Sequence, residues 1–520
     1  MIVCSSKKYI NNNLLFVLLL SCIFLHDLFV LFKGLSNPLA DLHSFRQTQT
    51  ALSAYWILHG ADFLNYETPV LGTPWAIPFE FPFYHWHTVL LASFGIPLDA
   101  AGRLISFVYF SACIGPIYII YKRLGLSNTT YLITCILYLS SPIYIYWGRT
   151  FMIETTALFY GLLWLALFIE SFHSSKWYLF WGTLLAGTLG VLTKSTTFPA
   201  FAFLGGLYFL YQLYSNWQQD KKLYSLLNFQ WAVRVLLLTV PFIPGILWVI
   251  HSDALKLLNP LGEYLTSSSL SKWNFGTLEQ KLSYKLWWET IWNRVLPDTL
   301  GVIIYLLIGF VVFLLFSCRF RVKVFSLFSK GEKLLILITL FAFFLPLLIF
   351  TNLHVVHNYY QVANAIFIII SLSIALGALE EKINTNYVVV FVILVSLSQT
   401  FYFYKKYYNQ VNRTDTNLLR VSKELKKVTP RDSGVLVVGI DWTSFVAYYS
   451  ERKTLTVPNW IPKHILDQVV ENPQKFLGKH KLAAIVICNY KAAAHVINKI
   501  KPLLKEKKKD FKHGNCEVYL

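Results

Sequence analysis

The chain predicts a polytopic α-helical membrane protein, of about eleven transmembrane helices, with a small C-terminal α/β soluble domain. Three observations carry that expectation. The first is composition: 55% of the 520 residues are hydrophobic, 17% aromatic and only 14% charged, and the mean hydropathy is +0.50, more apolar than a water-soluble fold carries. The second is the apolar runs, because a hydrocarbon core of about 30 Å takes about 20 helical residues to cross. Such runs lie near 14–32, 101–121, 129–147, 151–170, 177–193, 197–214, 231–250, 299–317, 334–351, 359–379 and 386–404. The third is a change of character after residue 404, where apolar runs shorten and basic residues accumulate.

The first run follows Lys7 and Lys8, a pattern shared with signal peptides, but it is long for one and no small-residue cleavage site follows. It is therefore expected to stay as a span. His26 and Asp27 lie inside it, and pairing of the acid with a neighbouring helix is the plainer account of an intramembrane carboxylate. Residues 83–97 are apolar but short for a span, with Pro82, His85, His87 and Pro97, and are expected to form an interfacial helix. With that assignment the inner loops hold Lys122, Arg123, Lys176, Lys221, Lys222, Arg319, Arg321, Lys323, Lys330 and Lys333, whereas loop 34–99 has five acids and one base, Arg46. Positive charge collects on one side, as in membrane proteins oriented by their cytoplasmic cations.

The expected domains are a transmembrane domain at 1–404, with outer loops 34–99 and 252–297, and a basic α/β domain at 405–520 on the outer side. The latter has a net charge of +12 against +7 for the rest. Its runs at 434–440, 455–458, 483–488 and 516–520 read as strands, and 444–450, 463–476 and 492–505 as helices. The basic run ending at Lys509 suits an anionic membrane surface or simply a solvated face; no base-stacking motif accompanies it, so no nucleic-acid partner is expected. Cys488 and Cys516 are the two cysteines of this domain that could pair. The tryptophans Trp273, Trp287, Trp288 and Trp292 make loop 252–297 an interfacial anchor or a lid.

Polar residues that interrupt the apolar pattern gather near the outer ends of the spans: Asp41, His43, Arg46, Gln47, Glu80, Arg103, Arg149, Glu154, Lys194, His354, His357 and Tyr360. Singly, the cations could be snorkelling anchors, the acids surface groups and His357 a member of an aromatic belt. Together, on one face of a hydrophobic bundle, they suit a phosphate joined to a lipid. No His, Cys or carboxylate cluster has metal-ligand spacing, so no cofactor is required, and a divalent metal is possible but not indicated.

In order along the chain stand His43-Ser44-Phe45-Arg46-Gln47, Glu80-Phe81-Pro82-Phe83-Tyr84, Gly102-Arg103-Leu104-Ile105-Ser106, Ser141-Pro142 with Arg149-Thr150-Phe151-Met152-Ile153-Glu154, Leu192-Thr193-Lys194 and His357-Asn358-Tyr359-Tyr360-Gln361. At these residues the chain resembles the C-type glycosyltransferase superfamily, which includes the protein O-mannosyltransferases and the lipid A aminoarabinose transferase, and most resembles its bacterial members. Two departures stand out: Glu154 where Asp is common, and Val362-Ala363-Asn364-Ala365 in place of a proline-rich continuation.

The resemblance implies a glycosyltransferase of the inner membrane that moves a hexosyl or pentosyl group from a polyprenyl-phosphate donor to an acceptor hydroxyl outside. The acceptor would be a glycolipid, a polysaccharide or a protein, and membrane lipids the other partners. An alcohol needs a base to attack an anomeric carbon; Asp41 is the first candidate, with Glu80 and Glu154 as rivals, and single displacement gives inversion. Arg46, Arg103, Arg149 and Lys194 are candidates for the donor phosphate. His43, Gln47, Glu80, Glu154, His357 and Tyr360 are candidates for binding substrate. A lipid-linked sugar flippase and a non-catalytic scaffold are the competing readings; the first needs midplane charges and internal repeats, of which only Asp27 is in evidence.

Overall fold

The computed structural model describes residues 3–220, 229–316, 326–505 and 507–520. Lys221, Lys222, Arg319, Arg321 and Lys323, expected at the inner face, lie outside the described residues. The chain forms two compact units, one of Met1–Gly34, Ser106–Ile246 and Lys272–Val411, the other of Leu35–Ile105, Leu247–Ser271 and Asn412–Leu520.

The first unit is helical. Among the described residues of the whole chain, five helices are long and apolar enough to cross a membrane: Leu14–Gly34, Leu98–Arg123, Phe229–Lys256, Lys330–Ile349 and Thr385–Lys406. A sixth arises if Lys285–Leu300 and Ile304–Phe313, bent by 110°, count as one span. The protein is thus an integral membrane protein, but the eleven expected runs are not eleven helices of spanning length. An apolar window counts side chains, whereas a helix also needs an unbroken backbone ladder. The run 129–147 is cut into Asn128–Leu139 and Pro142–Trp147, with Ser141 as N-cap and Pro142 in the first turn, because proline begins a helix more readily than it continues one. The run 359–379 opens with a 3-10 segment, Asn358–Ala363, before Ala365–Glu380. The run 299–317 is interrupted at Gly301, whose φ is +70°.

Helices Glu154–Glu170 and Trp177–Thr193 pack together through small residues, as apolar surfaces in lipid must do without a hydrophobic drive. Trp164 fills the seam: a Cβ built on Gly187 or on Gly205 would stand 2.5 Å from its indole ring.

The second unit holds a five-stranded sheet of β1 (Gly434–Val438), β2 (Lys453–Val457), β3 (Leu482–Cys488), β4 (Lys509–His513) and β5 (Cys516–Tyr519), in the order β2-β1-β3-β5-β4. β1 runs parallel to β2 and β3, and β5 runs antiparallel to β3 and β4. β1 and β2 are buried at every position; β1 reads as a continuous apolar run for that reason, whereas β2 carries Lys453, Thr454 and Thr456. Val421 and Leu425 of helix Asn417–Val428 cover the sheet with Val446. Cys488 and Cys516 face each other across β3 and β5 and are disulfide-bonded. β4 escaped the sequence reading because Lys509-Asp510-Phe511-Lys512-His513 looks solvated; Glu517 of β5 holds Lys509 at 2.8 Å and Lys512 at 3.2 Å. The expected helix 463–476 is split at Asn472-Pro473 into Lys463–Glu471 and Pro473–Leu477.

The outer edge of β2 is also paired. Thr454 N donates to Pro69 O at 3.1 Å, Thr456 N to Val70 O at 2.7 Å, and Gly72 N to Thr454 O at 3.2 Å. Residues 69–72 thereby add a sixth, short strand-like edge to the sheet.

Candidate functional site

The candidate residues fall into two groups, one in each unit. In the second unit, the chain leaves the first long helix at Gly34 and reaches helix Ser44–Leu58 through a segment gathered around Arg103. The Arg103 guanidinium, on a fully buried side chain, donates from Nη1 to Asn37 O and to Leu35 O at 3.3 Å, and from Nη2 to Pro38 O at 3.2 Å. Nη2 also stands 3.9 Å from Asp41 Oδ2. A planar five-donor fork is the group able to collect several carbonyls at once.

Asp41 is 4% exposed. Its Oδ1 accepts from Gln47 Nε2 at 2.5 Å, and the same amide nitrogen donates to Leu42 O at 2.8 Å. His43 takes the left-handed conformation, φ 51°, at the N-cap of helix Ser44–Leu58; this reversal sets Arg46 and Gln47 in the first turn, directly behind Asp41. Arg46 donates from Nη1 to Gln49 Oε1 at 2.5 Å and from Nη2 to Glu80 Oε1.

Glu80 is held by its backbone surroundings. Tyr66 Oη donates to Glu80 O at 2.8 Å and accepts from Phe79 N at 2.8 Å. Trp248 Nε1 donates to Phe79 O at 3.0 Å, and Ser252 Oγ to Pro78 O at 3.0 Å. Beside this pair are two buried polar atoms, Gln49 Nε2 and His85 Nδ1, with no hydrogen-bond partner among the described residues. Such atoms are rare in native interiors and mark places where a polar ligand or water completes the network. Burial pushes the His85 imidazole down to about 4, with Glu80 opposing and Arg46 adding to the shift.

In the first unit, Glu154 opens helix Glu154–Glu170, where the helix dipole favours a carboxylate. Lys194 sits in extended conformation at the C-cap of Trp177–Thr193. Lys194 Nζ lies 2.5 Å from Glu154 Oε1, with the two side chains 5% and 3% exposed. The same ammonium is 3.9 Å from the centroid of Tyr360 and 5.1 Å from that of Tyr359, within cation–π range. His357 stacks on Tyr359 at 5.2 Å, and Tyr359 on Tyr360 at 4.9 Å.

His354, fully enclosed, has its imidazole pushed down to about 3 by burial and by the Lys194 and Arg294 charges. Its carbonyl accepts from Arg294 Nη2 and from Gln361 Nε2 at 2.9 Å. Arg149, 1% exposed, lies 5.1 Å from the Tyr146 ring centroid. It is so close to Gly34 that a Cβ there would stand 2.8 Å from Arg149 Nη1.

The structure thus brings Asp41, Gln47 and Arg103 together, joins Arg46 to Glu80, and joins Glu154, Lys194, His357 and Tyr360 through the two tyrosine rings. Three residues escaped the sequence reading. Gln49 carried a signal, since it follows Arg46 by one helical turn. His85 was noted only as an interruption of an apolar run. Lys256, whose Nζ is 5.3 Å from the Phe79 ring centroid, stood as a lone cation at the end of an apolar run. Among the described residues, no group of three or more His, Cys, Asp or Glu side chains is arranged to hold a metal ion.

No protein-family model matches the sequence, and no curated protein matches it by sequence. Solved structures do match. Against ArnT from Cupriavidus metallidurans in the apo state, the TM-score is 0.60 at 12% identity, over 96% of this chain and 97% of that one. Against the same protein bound to undecaprenyl phosphate, it is 0.59 at 12% identity, over 96% and 97%. Against the archaeal oligosaccharyltransferase AglB from Archaeoglobus fulgidus, in complex with an inhibitory peptide and a dolichol-phosphate, it is 0.56 at 14% identity, over 96% of this chain and 74% of that one. This chain shares the fold of ArnT and AglB.

Proposed function

We propose that the protein is an integral-membrane glycosyltransferase that moves a sugar from a polyprenyl-phosphate donor to an acceptor hydroxyl at the outer membrane face, with inversion. The observation that carries this reading is the buried Asp41 carboxylate, oriented by Gln47 and Arg103 at the head of helix Ser44–Leu58. The shared fold supports it, since ArnT has been solved with undecaprenyl phosphate and AglB with a dolichol-phosphate.

The chemistry follows from the residues. The acceptor oxygen forms a bond to the anomeric carbon while the bond from that carbon to the donor phosphate oxygen breaks. The acceptor proton passes to Asp41, and the electron pair leaves with the polyprenyl phosphate. Gln47 and Arg103 keep the carboxylate from turning away, so Arg103 acts as a positioning residue. Fixed cations must take up the charge on the departing phosphate. We assign that role to Arg46, in the same unit as Asp41; in the first unit Arg149 and Lys194, with Tyr360 and His357, form their own candidate phosphate-binding group. Glu80 orients Arg46, and His43 sets the turn that brings Asp41 and Gln47 together.

Nothing in this sequence of steps calls for a metal. The C-terminal module lies on the outer side in this reading, and the membrane is the inner one.

The test is mass analysis of surface glycans and glycolipids in cells carrying wild-type protein, Asp41→Asn or no protein. A residue missing in both the variant and the deletion, with the variant inserted at wild-type level, supports the assignment and identifies the sugar. Full activity of Asp41→Asn overturns it.

A further inference from the structure

The second unit contains aromatic groups that the transfer chemistry leaves unused, and they come from the C-terminal module. Gly439 and Asp441, with φ of +99° and +53°, fold the loop after β1 sharply back. At Gly439 only glycine fits, since a Cβ would stand 1.9 Å from Cys488 O at the end of β3. Asp441 Oδ1 accepts from Asn459 N at 3.1 Å, tying this loop to the one after β2. The turn delivers Trp442 against two residues of the first outer loop. Its ring lies edge-on to Phe45 at 4.9 Å and stacks on Phe79 at 5.9 Å, and all three are partly exposed.

Phe45 and Phe79 are the immediate chain neighbours of Arg46 and Glu80, the ion pair described above. Lys256 stands over Phe79. A partly exposed group of aromatic faces therefore adjoins a fixed guanidinium–carboxylate pair and an ammonium. The loop itself lies at the carboxyl end of β1 beside β3, where the chain leaves β1 for β2 on one side and leaves β3 for β4 on the other, the position at which open α/β sheets bind ligands.

We infer that Trp442, with Phe45 and Phe79, forms a platform for a sugar ring of the acceptor, so that the acceptor is a carbohydrate. The inference rests on the glycosyltransferase reading and names the substrate class of the same site. A sugar ring presents weakly positive C–H bonds on a face and hydroxyls around its rim. The first match the negative face of an aromatic ring; the second match the oxygens of Glu80 and the Lys256 ammonium.

The experiment uses the full-length protein in nanodiscs, as wild type, Trp442→Leu and Trp442→Phe. Leucine keeps apolar bulk without a ring face; phenylalanine keeps a ring. Each is passed over a printed array of oligosaccharides and of peptides. Thermal unfolding and binding of undecaprenyl phosphate are measured on the same preparations.

The expected result is saccharide capture by wild type, a loss of about tenfold or more in Trp442→Leu, and recovery of most of it in Trp442→Phe. Undecaprenyl phosphate binding stays unchanged in all three. Equal saccharide capture by Trp442→Leu overturns the inference and leaves the glycosyltransferase reading standing, as does capture by wild type of peptides alone or of nothing. Failure of wild type to bind undecaprenyl phosphate overturns that reading and the inference with it. If Trp442→Leu unfolds at a lower temperature, Trp442→Phe decides: capture near wild type supports the platform, and loss of capture with intact folding overturns it.

Discussion

Lys194 Nζ and Glu154 Oε1 lie 2.5 Å apart with both side chains almost fully enclosed, and the second oxygen, Glu154 Oε2, has no hydrogen-bond partner among the described residues. A buried ion pair is a weak source of stability, but removing one partner strands the other at a cost of about 3–5 kcal/mol. Glu154→Gln is therefore expected to unfold at a markedly lower temperature in the absence of lipid. Undecaprenyl phosphate supplies an anion in place of the lost carboxylate, so the variant should gain more thermal stability from it than wild type does. An equal or smaller lipid-induced shift in Glu154→Gln would remove Lys194 from the phosphate site.

Arg103 yields a different expectation, because its donors face backbone carbonyls. Arg103→Lys keeps the charge but cannot reach Leu35, Asn37 and Pro38 together. Activity should fall nearly as far as in Arg103→Ala, and hydrogen exchange should accelerate across 35–42 in both. If Arg103→Lys retained most activity, the charge rather than the fork would be what matters.

How much of this was readable beforehand depended on whether a residue's role is set by its own neighbourhood or by distant chain. Asp41, Arg46 and Gln47 broke an apolar pattern within a few positions of one another, so their grouping was visible. Arg103 was visible as a cation at a span end, but its turn toward carbonyls 65–68 residues earlier is a tertiary fact with no local signature. Trp442 gave no hint of meeting Phe45, about three quarters of the chain away. The helix bounds within the apolar runs were not legible for another reason: hydropathy registers which side chains tolerate lipid, while Pro142, Gly301 and the 3-10 turn at 358–363 decide where helices stop.

Two buried histidines give a pH dependence. The His85 and His354 imidazoles are held at about 4 and about 3, chiefly by burial, against an ordinary 6.5. Their depressed values mean that the unfolded chain binds protons which the folded chain refuses, so stability is full above about pH 6.5 and falls as the pH drops toward the folded values. Each contributes up to about 1.4 kcal/mol per pH unit in that window. The double variant His85→Gln, His354→Gln should show a flatter decline of the unfolding temperature between pH 6.5 and 4. Parallel curves would show that the histidines take no part.

The pairing of residues 69–72 with β2 predicts that the C-terminal module cannot stand alone. Within the unit, Lys453 fixes the same edge: its Nζ is 2.5 Å from Glu67 Oε2 and 4.8 and 5.3 Å from the Trp56 and Trp75 rings. Replacing it with methionine keeps the stem and removes the charge, at an expected cost of about 1–2 kcal/mol, most of it from the partly desolvated cation–π contacts. Cutting the chain has a larger effect. Asn412–Leu520 expressed by itself leaves the β2 edge bare, with Thr454 and Thr456 donating to nothing, and an open edge of this kind recruits other strands. It should associate in a concentration-dependent way by sedimentation. Thr456→Pro in the isolated module removes the donor that meets Val70 and should suppress that association, since proline cannot supply a ladder hydrogen bond. A monomeric, cooperatively folded Asn412–Leu520 would show that residues 69–72 merely rest on a sheet already complete.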